Sequence, residues 1–167
     1  MNYVYQLLVG LFSGCFAAWV TTFFALRRFY SEKWWEKRAT ALIELTDAVY
    51  QLKLLQEYNY DLRDYHRGPP EDSPDFVELS KEQLDEMELA AAKARKLIAK
   101  YSQVGPLLIT DKLSKILISY VNEEKKVDFD VHYKGWDYEE ANEHLLMMTK
   151  KLLNDLLQAS REELKAK

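Results

Sequence analysis

Hydrophobic positions follow two different rules along this chain. From Tyr3 to Leu26 they run almost unbroken: these 24 residues hold no charged side chain, and Gln6 is the most polar of them. As a helix rising 1.5 Å per residue, the stretch measures about 36 Å, enough to cross a hydrocarbon core of about 30 Å with some tilt. After it, Trp35, Ala39, Leu42, Leu45, Val49 and Leu52 recur at steps of three and four, the period of an amphipathic helix. Neither Gly nor Pro occurs between Cys15 and His66, so one helix can run on from the apolar stretch. Gly68-Pro69-Pro70 stops it near Arg67.

The pattern then predicts three more helices. Residues 68–79 form a Pro-rich acidic loop, and Ser80-Lys81-Glu82-Gln83 is a capping box. The helix it opens carries Leu84, Met87, Ala91, Ala94, Ile98 and Tyr101 on one face, runs to about Ser102 and stops at Gly105-Pro106. A shorter helix covers about Thr110–Glu124. Val127–Tyr133 alternates apolar and polar residues, which predicts an extended loop or a short lone strand. Gly135 breaks the chain again, and Asp137 with Glu140 opens a last helix to about Leu164, through Leu145, Met148, Leu152, Leu156 and Leu157. The fold class is therefore all-α: one N-terminal transmembrane helix followed by a cytosolic bundle of about four helices. Residues 1–26 are the anchor, 27–38 a basic and aromatic juxtamembrane segment, and 39–167 the bundle.

The apolar segment is itself two-sided. At 100° per residue, Gln6, Gly10, Ser13, Gly14, Ala17 and Thr21 fall within about 100° of one another, with Leu8, Phe12, Phe16, Trp19 and Phe23 opposite. Gly10 and Gly14 form a GxxxG, and small or hydroxylic residues let helices approach and bond in lipid. This stripe predicts a packing or pore-lining face. Arg28 continues it and would set a ring of guanidinium groups at the inner mouth of an assembly.

Charge orients the span. Net charge is −4; residues 27–38 contribute +3, which leaves −7 on the rest. Basic flanks stay in the cytoplasm, so Arg27, Lys33, Lys37 and Arg38, with Trp34 and Trp35 at headgroup depth, form an inner-interface anchor. That predicts an inner-membrane protein with its N-terminus out and its C-terminal domain cytosolic. Met1-Asn2 brings no side-chain charge and Phe24–Arg27 no small-residue cleavage site, which argues for a retained anchor over a signal peptide. The acidic remainder argues against nucleic acid as a partner.

Little in the sequence points to catalysis. Cys15 is the only cysteine, so no intrachain disulfide or thiolate metal site forms. Of the three histidines, His66 ends a helix, His132 lies in the predicted loop, and His144 follows Glu140 by four residues, the spacing of a solvated pair. Helical HEPN nucleases place four to six residues between Arg and His, whereas Arg63 and His66 are separated by two. No phosphate loop or nucleophile elbow occurs. No catalytic, cofactor or metal residue is assigned. The many tyrosines and tryptophans, Tyr50, Tyr58, Tyr60 and Tyr65 in one group and Tyr120, Phe129, Tyr133, Trp136 and Tyr138 in another, suit helix packing or protein contacts.

The run Arg28-Phe-Tyr-Ser-Glu-Lys-Trp-Trp-Glu-Lys-Arg38, after a short N-out anchor and before a small helical domain, resembles that of small bacterial membrane proteins of unknown or antiviral function. In layout the chain is also similar to the membrane accessory proteins of RNA-targeting (type VI) CRISPR systems. That resemblance implies assembly into pores in antiviral defence. Together these readings predict a non-enzymatic homo-oligomer in contact with membrane lipid, with room for a cytosolic protein partner. The alternatives are a membrane-tethered, divergent helical nuclease and a simple adaptor.

Overall fold

The computed structural model describes residues 2–69 and 75–165. It is all-helical: α1 (Asn2–Arg67), α2 (Lys81–Leu108), α3 (Asp111–Lys134) and α4 (Tyr138–Lys165). The chain divides into two units, Met1–Ala39 and Thr40–Lys167. Residues 70–74 of the Pro-rich loop lie outside the described residues.

The first unit is the N-terminal part of α1. Its most apolar window has a mean hydropathy of 1.8, and none of it is buried within the protein. A core helix of a water-soluble domain would be covered; this one is long and apolar enough to cross a membrane.

The second unit has a single core. Leu45, Val49 and Leu52 of α1 meet Ala91, Ala94, Ile98 and Tyr101 of α2, Leu113, Leu117 and Tyr120 of α3, and Leu152, Leu156 and Ala159 of α4. The registers give the topology. Glu44 pairs with Tyr101 and Tyr58 with Leu79; Arg95 pairs with Glu124; Lys112 pairs with Glu162 and Tyr120 with Thr149. Where two pairs link the same helices, one number falls as the other rises, so neighbours in sequence run antiparallel. Lys150–Glu57 and Arg67–Glu139 close α4 back onto α1 in the same sense. An up-down-up-down bundle follows.

Local chemistry sets most boundaries. Ser80 Oγ accepts from the Gln83 N–H at 3.3 Å, while Gln83 Oε1 accepts from the Ser80 N–H at 2.9 Å, which completes the capping box. Thr110 caps α3, and Gly135 ends it in the left-handed region with φ 71°. Asp137 Oδ1 accepts from the N–H groups of Glu139 and Glu140 at 2.9 and 3.1 Å.

Four expectations fail. First, α2 does not stop at Gly105-Pro106 but runs to Leu108. A proline in the last turn forfeits one backbone bond, and continuing carries Ile109 into the core at 2 % exposure. Gly105 allows the closure, since a Cβ there would stand 3.0 Å from Ile109 Cδ1 and 3.1 Å from Ser114 Oγ. Second, Val127–Tyr133 is neither loop nor strand but the last turns of α3. Its alternation also contains i,i+4 pairs, and these win. Val127 is buried and Val131 half-buried, Phe129 stacks on Tyr133 with centroids 4.8 Å apart, and His132 and Lys134 reach back to Asp128 and Asp130. Third, the core face of α1 begins at Ala41 and Leu42, while Trp35 stays 40 % exposed and Ala39 half-buried. Fourth, Leu157 points outward.

Candidate membrane and docking surfaces

Within the first unit, Gln6, Gly10, Ser13, Gly14, Ala17 and Thr21 are all exposed. A Cβ on Gly10 or Gly14 would meet nothing within 4 Å. These glycines therefore answer no packing need inside the chain. Ser13 donates to the Gly10 carbonyl at 3.0 Å and Thr21 to the Ala17 carbonyl at 2.8 Å, so both hydroxyl protons are already used. Each hydroxyl oxygen can still accept from a neighbouring chain. The other side is aromatic: the Phe16, Trp19 and Phe23 rings follow one another at 6.3 and 5.9 Å.

Residues 27–38 sort their charges. Arg28 Nε donates to Glu32 Oε1 at 2.9 Å, and Lys33 Nζ to Glu36 Oε2 at 2.8 Å. Both cations thus have a carboxylate on their own helix, so Arg28 extends the small-residue stripe as a paired rather than a bare guanidinium. Lys37 Nζ instead lies over the Trp34 ring, 5.7 Å from its centroid. Among the described residues, no carboxylate pairs with Arg27, Lys37 or Arg38.

In the second unit the catalytic candidates separate. Arg63 stacks on Tyr60 at 4.5 Å and pairs with Asp64, and Arg67 pairs with Glu139, so carboxylates already occupy the cations near His66. His132 lies on helix, its Nδ1 2.8 Å from the Asp128 carbonyl. The Glu140–His144 pair takes another form: Glu140 accepts from the Trp136 indole N–H at 3.2 Å, and His144 packs against that ring with centroids 5.5 Å apart. Among the described residues, no cluster of His, Cys, Asp or Glu could hold a metal. A cleft of about 400 Å³ between α3 and α4 is lined by Ile116, Tyr120, Glu123, His144 and Met148. Burial pushes the Tyr120 phenol up to about 12, so it stays protonated and is a poor general base.

The surplus aromatics divide in the same way. Tyr101 and Tyr120 are core. Tyr58 and Tyr65 hold the loop: Phe76 stacks on Tyr58 at 5.8 Å and packs on Tyr65 at 5.0 Å, and the Leu79 N–H donates to the Tyr58 hydroxyl at 3.2 Å. Phe76 escaped sequence reading because it stands alone in an acidic, Pro-rich stretch; its only signal was being an aromatic there. Phe129, Tyr133 and Tyr138 remain exposed around the α3–α4 turn.

No protein-family model matches the chain, and no curated protein or solved structure is significantly similar to it.

Proposed function

We propose that this chain is a non-enzymatic membrane protein that self-associates through the Gly10–Gly14 face and carries its four-helix domain in the cytoplasm. The assembled form acts as a pore or membrane-perturbing effector. One observation carries this reading: an apolar segment with no buried residue among those described has small, open positions on one side and an aromatic ladder on the other. Lipid tails are as apolar as leucine, so association in a bilayer depends on close backbone approach rather than on hydrophobic burial. Gly10 and Gly14 supply that approach. The basic flank sets the orientation, N-terminus outside. The similar layout of the type VI CRISPR accessory proteins supports a role in antiviral defence.

Two measurements test it. Reporters fused to the C-terminus should be active in the cytoplasm; activity confined to the far side of the membrane overturns the orientation. Vesicles carrying the full-length protein should leak a small dye, and Gly10→Leu with Gly14→Leu should abolish the leak. Intact vesicles at every protein density would remove the pore and leave a tether.

A further inference from the structure

Resting on the membrane-anchor reading, we infer that Arg27, Lys37 and Arg38, with Trp34, form a binding face for anionic phospholipid headgroups. At 100° per residue these four side chains share an arc of about 100° with Phe12, Phe16, Trp19 and Phe23, the lipid-directed side of the span. Arg28 and Glu32 fall about 140° away, in line with Gly10, Gly14, Ala17 and Thr21. The ion pairs follow the same division. On the small-residue side Arg28 is neutralised by Glu32 at 2.9 Å. Lys33, flanking the aromatic side, is neutralised by Glu36 at 2.8 Å. The cations that no carboxylate on the described chain neutralises are those continuing the aromatic ladder, and all of the segment's net charge of +3 resides there.

The chemistry suits a phosphodiester. Guanidinium groups bind phosphate oxygens in bidentate fashion, and the Lys37 ammonium, held over the Trp34 ring, keeps its N–H groups available to a phosphate. A neighbouring protein chain is the poorer occupant, since this face continues the bulky side of the span rather than the small-residue side where helices can approach. Each basic residue near an anionic surface favours binding by roughly fivefold, an effect that fades within a Debye length as salt rises.

The test uses the full-length protein in phosphatidylcholine bilayers containing, at equal mole fraction, brominated phosphatidylglycerol or brominated phosphatidylcholine. Bromine quenches tryptophans beside it. Wild-type quenching by the anionic lipid should exceed quenching by the zwitterionic one by at least about twofold at low salt, and the excess should shrink at about 1 M salt. Arg27→Gln with Lys37→Gln and Arg38→Gln should make the two lipids equal while leaving zwitterionic quenching intact. Replacing Arg28, Glu32, Lys33 and Glu36 together with Gln leaves net charge unchanged, and the anionic excess should persist. Equal quenching in the wild type overturns the inference and leaves the anchor standing, as does loss of the excess in the four-Gln variant. No quenching by either lipid overturns both.

Discussion

The hydroxyls of Tyr120 and Thr149 meet at 2.8 Å between α3 and α4, with Thr149 fully buried and Tyr120 nearly so. Thr149 donates to the Leu145 carbonyl at 2.9 Å, so Tyr120 must be the donor of the pair. One helix thus fastens its neighbour through a buried hydrogen bond. A second phenol, Tyr101, donates to Glu44 Oε2 at 3.0 Å between α2 and α1.

These two tyrosines predict an alkaline limit to stability. Burial raises Tyr120 to about 12, and burial with the Glu44 carboxylate raises Tyr101 to about 12. In the unfolded chain both lose their protons near pH 10. Between these values the unfolded state binds fewer protons, so stability is intact below about pH 10 and falls as pH rises toward 12. A fragment of residues 39–167, which has its own core, should be helical by circular dichroism and show this fall in urea melts. Tyr101→Phe with Tyr120→Phe should flatten the fall, at a cost near neutral pH of about 1 kcal/mol per lost hydrogen bond. An unchanged alkaline slope contradicts the assignment.

Phe76 should act as a local clasp. Its stacking on Tyr58 and Tyr65 fixes the end of the loop but adds little to the main core. Phe76→Ala is therefore predicted to speed proteolysis within residues 68–79 several-fold and to lower the melting temperature by no more than about 2 °C. A large drop in melting temperature would place Phe76 in the core instead.

Gly105→Ala sets two effects against each other. Alanine favours helix over glycine by about 1 kcal/mol, but the new Cβ would stand 3.0 Å from Ile109 Cδ1 and 3.1 Å from Ser114 Oγ. Both neighbours are buried, with little room to yield. Overpacking of this kind costs about 1–3 kcal/mol, so the variant should be less stable by up to about 2 kcal/mol in urea melts. A stabilised variant would show that Ile109 moves aside cheaply.

Much of the fold was legible because it rests on local chemistry. Ser80 with Gln83, Thr110 and Asp137 mark helix starts in sequence and in structure alike, whereas Gly135, read as a break after a loop, ends α3. The errors arose where one signal was outweighed by another, a tertiary demand at Pro106 and a second local pattern at Val127–Tyr133. Pro106 reads as a stop, but Ile109 has to reach the core; Val127–Tyr133 reads as alternating, but its i,i+4 partners hold a helix. The stripe positions from Gln6 to Thr21 are helical and exposed, as the spacing implied; whether they face another chain is what the double glycine replacement tests. The pairing of Arg28 with Glu32 was not read from the wheel, which orders side chains around the axis and says nothing about which rotamers meet.

In the proposed assembly, the membrane span joins copies of this chain through Gly10 and Gly14. Replacing both with Leu would hold neighbouring helices a side chain apart and remove the contacts that drive association in lipid. Phe12→Leu with Phe16→Leu, on the opposite side, is the matched control. The deciding measurement is particle mass in mild detergent, by light scattering or native mass spectrometry. Wild type and the phenylalanine variant should give one multiple of the 19.7 kDa chain, and the glycine variant should give monomers. A monomeric wild type, or an oligomer that survives both glycine replacements, rules out self-association through this face.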